Sequence, residues 1–227
     1  MTNHILATVN FEPNLLTKAQ GSWVWDIDYN KYLDFVSGCW SVNLGHNHPK
    51  IVETIKEQAS KLIHRSMWYL TDETVEAAKQ LVKFVPHNHD KATFLSSGSE
   101  AVEFALNFAI KVSKKIKILS LKDGFYGSFG LGKEASYFSH KVSRLRIDYP
   151  RCNDLNCDCL DKYNSLIDLI LRNYAKDLAC FAIEPIMASG GILKPCSSFI
   201  DELCLVIDTD QLSKGLRRWV PAPFVNF

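Results

Sequence analysis

A chain of 227 residues, 47% of them hydrophobic, is long enough to bury one substantial core. Its 26 basic and 25 acidic side chains give a formal charge of +1, and because the basic residues are scattered we expect no nucleic-acid partner. No secretory signal and no apolar run of about 20 residues is present, so we expect no membrane association and a cytoplasmic location. The seven cysteines are therefore expected to be thiols, without a metal site.

The first part of the chain predicts a hairpin and two helices. Residues 21–36 alternate between apolar and polar types around a turn at 28–31, which is typical of a β-hairpin. Pro49 precedes an amphipathic pattern over 50–63, and proline is favoured at a helix start. A second helix is predicted from Asp72, as its N-cap, to Phe84.

The segment around residues 95–109 predicts a strand end that turns into a helix. The first turn of a helix has unpaired N–H groups and a partial positive charge, so it binds phosphate well. Ser97, Gly98 and Ser99 are small enough for an anion to approach. The alternative is an ordinary helix capped by serine, without a ligand.

The rest of the chain alternates between strand and helix patterns. Residues 115–121, 178–186 and 205–208 are apolar strand candidates, and 160–174 has helical periodicity. This order predicts an α/β fold, with a mainly parallel sheet between helix layers and an N-terminal β-hairpin segment. Ligands bind at the carboxyl ends of such strands. The residues expected there are Ser97 to Ser99, Gly124 to Gly127, Glu184 and Asp208.

A series of short motifs resembles the class III, or ornithine-type, aminotransferases of pyridoxal-phosphate fold type I. In chain order the motifs are Gly21-Ser22-Trp23-Val24-Trp25-Asp26 with Tyr32-Leu33-Asp34-Phe35, Gly45-His46-Asn47-His48-Pro49, Ser97-Gly98-Ser99-Glu100-Ala101, Gly124-Phe125-Tyr126-Gly127, and Ile183-Glu184-Pro185-Ile186 followed by Gly190-Gly191. The resemblance covers about residues 10–208. It implies an N-terminal segment over 1–48 and a shortened cofactor-binding large domain over 49–227.

The resemblance implies pyridoxal 5'-phosphate as the cofactor and a homodimer as the assembly. Ser97, Gly98 and Ser99 would then bind the cofactor phosphate. Phe125 or Tyr126 would stack on the pyridine ring, where Tyr126 replaces a common histidine of the family; both rings could instead be core. Glu184 is similar to the family's active-site glutamate, although an isolated glutamate is more often a solvated strand end. His46 and His48 are expected to be structural.

The last part of the resemblance concerns the groups that carry the chemistry. Asp208 resembles the acid that pairs with the pyridine nitrogen, Gln211 a nearby glutamine, and Lys214 the Schiff-base lysine. The implied reaction moves an amino group between an amino donor and a keto acid or aldehyde. In the family the acid and the lysine lie on different strands, whereas here they are six positions apart. This spacing predicts an internal shortening near residues 204–214, and the C-terminal half of the family pattern is missing.

Two alternatives to an active aminotransferase follow from this departure. The chain could be a non-catalytic remnant that binds the cofactor weakly or pairs with an intact subunit. It could also hold the cofactor without transferring an amino group.

Overall fold

The structure is a computed structural model, and it describes residue 12 and residues 14–84, 90–137, 145–148, 165, 168–169, 172–174, 176–184, 186–188 and 190–193. By its internal contacts the chain divides into two compact units, residues 1–92 and 93–226. We describe each unit by itself. The domain boundary expected at residue 48 stays a prediction.

The first unit contains a three-stranded antiparallel sheet. The strands are β1 (Leu16–Gln20), β2 (Trp23–Asp26) and β3 (Lys31–Leu33), in the order β1-β2-β3. The pairing of β2 with β3 confirms the predicted hairpin, and β1 extends it by one strand that the sequence pattern did not single out.

The buried carboxylate of Asp26 fixes the hairpin turn. One oxygen, Oδ1, accepts the main-chain N–H groups of Asp28 and Asn30 at 3.0 and 2.9 Å. The other, Oδ2, accepts the Asn30 amide at 3.0 Å and the Tyr32 hydroxyl at 2.7 Å. Because these donors favour the ionised form, with the Asn30 side chain contributing most, the pKa of Asp26 is lowered.

The segment after the hairpin is joined back to it by His46. The His46 ring lies 2.7 Å from Asp34 Oδ2, and this hydrogen bond is the main reason why the pKa of Asp34 is lowered. The main chain of His46 also exchanges two hydrogen bonds with Gly21. Between Asp34 and His46, α1 (Ser37–Trp40) is a single turn with left-handed φ angles. The contacts of His46 agree with the structural role expected for it.

Two helices complete the first unit, and both match their predictions closely. Helix α2 (Pro49–Lys61) starts with Pro49 in its first turn, as expected. Helix α3 (Asp72–Phe84) has the predicted bounds, but Asp72 is its first helical residue and not its N-cap. The cap is Thr71, whose hydroxyl accepts the N–H of Thr74 at 3.3 Å, so the predicted cap was wrong by one residue.

The second unit is a parallel sheet with helices packed on it. Strands β4 (Lys117–Leu121), β5 (Leu145–Ile147) and β6 (Leu178–Ala182) pair in parallel in the order β5-β4-β6. Helices α4 (Gly98–Ser113) and α5 (Gly130–Ala135) contact each other, and α4 also contacts β6. The predicted α/β fold with a mainly parallel sheet is confirmed. The buried side chains of this core are Val102, Leu106, Ile118, Tyr126 and Ala135.

Three sequence predictions in this unit need correction or restriction. The strand expected before α4 is absent from the described residues 90–95, because this stretch forms no ladder with β4, β5 or β6. Strand β6 ends at Ala182 and not at Ile186. The described residues of the segment 160–174 are helical, whereas the predicted strand at 205–208 lies outside the part that the structure describes.

Across the described ranges, no helix has both the length and the apolar composition needed to cross a bilayer.

Candidate active site

The first turn of α4 is capped by its own serine. Ser97 has an extended backbone with φ of −151°, and its hydroxyl accepts the N–H of Glu100 at 3.2 Å. Such a cap satisfies one of the N–H groups that a helix start leaves unpaired. The capped-helix alternative is therefore correct for Ser97 itself. A cap does not exclude a ligand, because it uses only one of those N–H groups.

The amides of Gly98 and Ser99 remain available for an anion. None of the hydrogen bonds found in the described part of the chain uses either amide. A 16-residue helix also carries a partial positive charge at this end. Two adjacent N–H donors at a positive helix end are a donor set that suits a phosphate group. The site therefore fits the phosphate of the cofactor that the sequence implied.

The loop between β4 and α5 lies against this helix end. The N–H of Ser128 donates to Ser99 Oγ at 3.1 Å, and the N–H of Gly132 donates to Glu103 Oε2 at 3.1 Å. Gly127 has a φ of +147°, and a Cβ there would lie 3.6 Å from Ser99. These contacts hold the loop and the first turn of α5 to one face of α4. Neither Ser128 nor Glu103 was singled out from the sequence, because neither residue type is distinctive at a loop or on a helix.

The two aromatic candidates, Phe125 and Tyr126, occupy different environments. The Tyr126 side chain is 3% exposed and packs in the core, with its hydroxyl accepting the N–H of Leu121 at 3.2 Å. Burial raises the pKa of this hydroxyl, and the nearby Glu184 carboxylate raises it further. The phenol leaves no room for a side chain at Gly124, where a Cβ would overlap the ring. Phe125, by contrast, is only half-buried.

Glu184 follows β6 and is buried, with 7% of its surface exposed. Its Oε2 accepts the main-chain N–H of Phe125 at 2.8 Å. Burial outweighs this hydrogen bond and raises the pKa of the Glu184 carboxyl. Glu184 is therefore not a solvated strand end, which was the alternative left open by the sequence.

The structure brings together three groups of the predicted site residues, all in the second unit. Ser97, Gly98 and Ser99 form the start of α4, and the loop that follows Phe125 and Tyr126 contacts Ser99. Glu184 joins the end of β6 to the same loop. Asp208, Gln211 and Lys214 lie outside the described residues.

The described residues hold no group of three or more side chains that could bind a metal ion.

Comparison with known proteins identifies the family. The sequence model of the family described as Aminotransferase class-III matches residues 7–211. The chain belongs to the class III aminotransferases. Among curated proteins it is similar to an acetylornithine aminotransferase of Methanocaldococcus jannaschii, with 43% identity over 219 residues. That alignment covers 91% of this chain and 53% of the relative. A probable 4-aminobutyrate aminotransferase of Bacillus subtilis is 28% identical, over 92% of this chain and 54% of its own length.

Solved structures support the fold. A taurine:2-oxoglutarate aminotransferase from Bifidobacterium kashiwanohense, in complex with PLP and glutamate, matches with a TM-score of 0.81 at 22% identity. The match covers 91% of this chain and 51% of that chain. An omega-transaminase from Thermomicrobium roseum matches with a TM-score of 0.80 at 24% identity, over 91% of this chain and 52% of that chain. The chain thus has the fold of type I pyridoxal-phosphate enzymes and spans about half the length of the relatives that it matches.

The cap at Ser97 gives a prediction about stability. Replacing Ser97 by Ala is expected to lower the free energy of unfolding by about 1 kcal/mol, because the N–H of Glu100 loses its acceptor. Ser97→Asn is expected to restore most of the loss, since asparagine caps as well as serine does. Urea denaturation of the three proteins measures the difference. A Ser97→Ala protein that keeps its stability but loses affinity for pyridoxal phosphate would show that the hydroxyl binds the ligand and does not serve as the cap.

Proposed function

We propose that this chain is a pyridoxal-phosphate-dependent aminotransferase that moves an amino group from an amino donor to a keto acid or aldehyde. The observation that carries the proposal is the first turn of α4, where the amides of Gly98 and Ser99 make no hydrogen bond to any residue that the structure describes. In a chain of the class III family, this turn is the natural place for the cofactor phosphate. The chain spans about half the length of its relatives. That the isolated chain is active is therefore itself part of the proposal.

The cofactor-binding roles that we propose follow the environments of the residues. Gly98 and Ser99 bind the phosphate through their amides, and Ser97 supports them by capping the helix. Phe125 provides the ring that stacks on the pyridine, because it is half-buried in the loop that follows the central strand β4. Tyr126 supports the loop from inside the core, since its ring and hydroxyl are already packed and hydrogen-bonded.

Three further residues are proposed to act on the ring and the substrate. When bound, the cofactor supplies an electron sink that makes a C–H bond next to an amino group acidic. Asp208 holds the proton on the pyridine nitrogen, and Gln211 supports the ring nearby. Lys214 would hold the cofactor through its Nζ atom while no substrate is bound. Once the substrate amine has taken that place, the freed Lys214 amine would move a proton between carbon atoms of the substrate and the cofactor.

The role of Lys214 can be tested by chemical trapping. After pyridoxal phosphate is added, borohydride reduction and peptide mass spectrometry are expected to find the cofactor on Lys214, because reduction converts the imine to a secondary amine that does not hydrolyse. Lys214→Ala is expected to lose the adduct, while Lys133→Ala, which alters an exposed lysine on α5, keeps it. Adducts on surface lysines alone, or none, contradict the assignment. An adduct on Lys214 without transfer of an amino group would support the cofactor-holding alternative.

We also propose a cytoplasmic location and the division of the chain at residue 48. An exposed free thiol at Cys39 suits a reducing compartment. The division keeps the whole β1-β2-β3 sheet in one segment.

A homodimer is the assembly that we propose, with α4 at the interface. Phe104, Phe108 and Val112 are spaced by four residues on this helix, and about half of each side chain is exposed. The two phenylalanine rings are stacked, with centroids 6.3 Å apart. An exposed apolar stripe of this kind is typical of a surface that binds another protein chain. We commit to a second copy of this chain, because the resemblance to the family implies a homodimer.

Substitution at Phe108 tests this interface. Phe108→Lys is expected to shift the chain from dimer to monomer, because burying the ammonium group in an apolar contact is costly. Phe108→Leu, which keeps the site apolar, is expected to leave the dimer intact. Sedimentation velocity of the wild type and both variants measures the assembly. A monomeric wild type, or a dimer that is unaffected by Phe108→Lys, would rule out this interface.

A further inference from the structure

Glu184 joins two segments that are distant in sequence. Its carboxylate lies after the end of β6 and takes the main-chain N–H of Phe125, 59 positions earlier, at 2.8 Å. The acceptor is a buried acid and the donor is the backbone of the residue that carries the proposed stacking ring. The bond therefore controls where the backbone of Phe125 lies relative to β6.

Several other hydrogen bonds of this turn come from within its own segment. Tyr126 N–H donates to Ser136 Oγ at 2.8 Å, and Leu121 N–H donates to the Tyr126 hydroxyl at 3.2 Å. Tyr137 N–H donates to the Gly124 carbonyl at 3.0 Å. Because all of these partners lie between residues 121 and 137, they fix the shape of the turn. The hydrogen bond from Phe125 to the Glu184 carboxylate then fixes where the turn lies relative to β6.

The same turn reaches the first turn of α4. Gly127 lies against Ser99, and the N–H of Ser128 donates to Ser99 Oγ. Phe125 is thus only two or three residues from the contacts with the phosphate-binding turn. A shift of the Phe125 backbone would change the distance between the stacking ring and the phosphate site.

We propose that Glu184 is a positioning residue, which sets the Phe125 ring against the pyridine through the main-chain N–H of Phe125 and makes no direct bond to the cofactor. This inference rests on the proposed function, because it assumes that Phe125 stacks on the cofactor. It differs from a cofactor-binding role for Glu184, in which the carboxylate itself would contact the ligand.

The chemistry of the bond predicts which replacements are tolerated. Glutamine keeps an oxygen acceptor in nearly the same volume, so Glu184→Gln retains a hydrogen bond to Phe125. Alanine removes the acceptor and leaves the partly buried N–H of Phe125 without this partner, which is costly. The requirement is thus for an acceptor oxygen and not for a negative charge.

Cofactor affinity tests the inference first. By equilibrium titration of the full chain with pyridoxal phosphate, Glu184→Ala is expected to weaken binding about tenfold, and Glu184→Gln to stay within about twofold of the wild type. The matched control is Asp177→Ala, which removes an acid paired with Lys117 at the opposite end of β6. It is expected to bind as the wild type does. An equal loss in the Gln and Ala variants would overturn the inference, because it would show that the charge matters.

A double-mutant cycle with Phe125 separates positioning from direct contact. If Glu184 acts through the Phe125 ring, Glu184→Ala weakens binding little in a Phe125→Leu background, where that ring is already lost. If Glu184 contacts the cofactor itself, the tenfold loss persists in that background. The second result overturns the inference.

Amide hydrogen exchange without cofactor gives a readout independent of binding. The Phe125 amide is expected to exchange about tenfold faster in Glu184→Ala than in the wild type or Glu184→Gln, because its acceptor is lost. Unchanged exchange would show that Glu184 does not hold this turn. A wild-type chain that fails to bind pyridoxal phosphate overturns the proposed function. Binding by the wild type with additive effects in the cycle overturns only the role of Glu184.

Discussion

The hydrogen bond from the Ser128 amide to the Ser99 hydroxyl joins the two halves of the candidate site. On one side is the start of α4, with the cap from Ser97 and the amides of Gly98 and Ser99, which bond to no residue in the described part of the chain. On the other is the loop after β4, with the proposed stacking ring of Phe125. A phosphate and an aromatic ring must be held at a fixed separation to bind one cofactor, and this contact, with that of Gly132 and Glu103, holds the two halves together.

Buried polar groups fix the conformation of the loop after β4. Ser136 is fully buried, and its hydroxyl accepts the N–H of Tyr126 and donates to the Gly132 carbonyl at 2.7 Å. Glu184 is a buried acid whose N–H partner belongs to Phe125. Leaving such groups unpaired would be costly, so each of them selects one backbone arrangement of the loop. The conformation of the loop that carries Phe125 is therefore set by hydrogen bonds to buried groups.

The sequence predicted the elements better than the contacts between them. Periodicity located α2, α3 and α4 because each has an amphipathic or capped pattern of its own, and the apolar run at β4 was equally clear. The predicted strand before α4 failed because strand structure needs a neighbour, which a local pattern cannot show. Likewise, both aromatic residues at 125 and 126 fitted a stacking role, and only the packing of Tyr126 in the core distinguished them. The bond between Glu184 and Phe125 joins distant positions, so no local motif could reveal it.

The central claim is that the first turn of α4 binds the cofactor phosphate. A crystal structure of the chain with pyridoxal phosphate bound tests it most directly. The account predicts phosphate oxygens at about 2.7–3.2 Å from the amide nitrogens of both Gly98 and Ser99. A phosphate bound elsewhere, with water on these two amides, would contradict it.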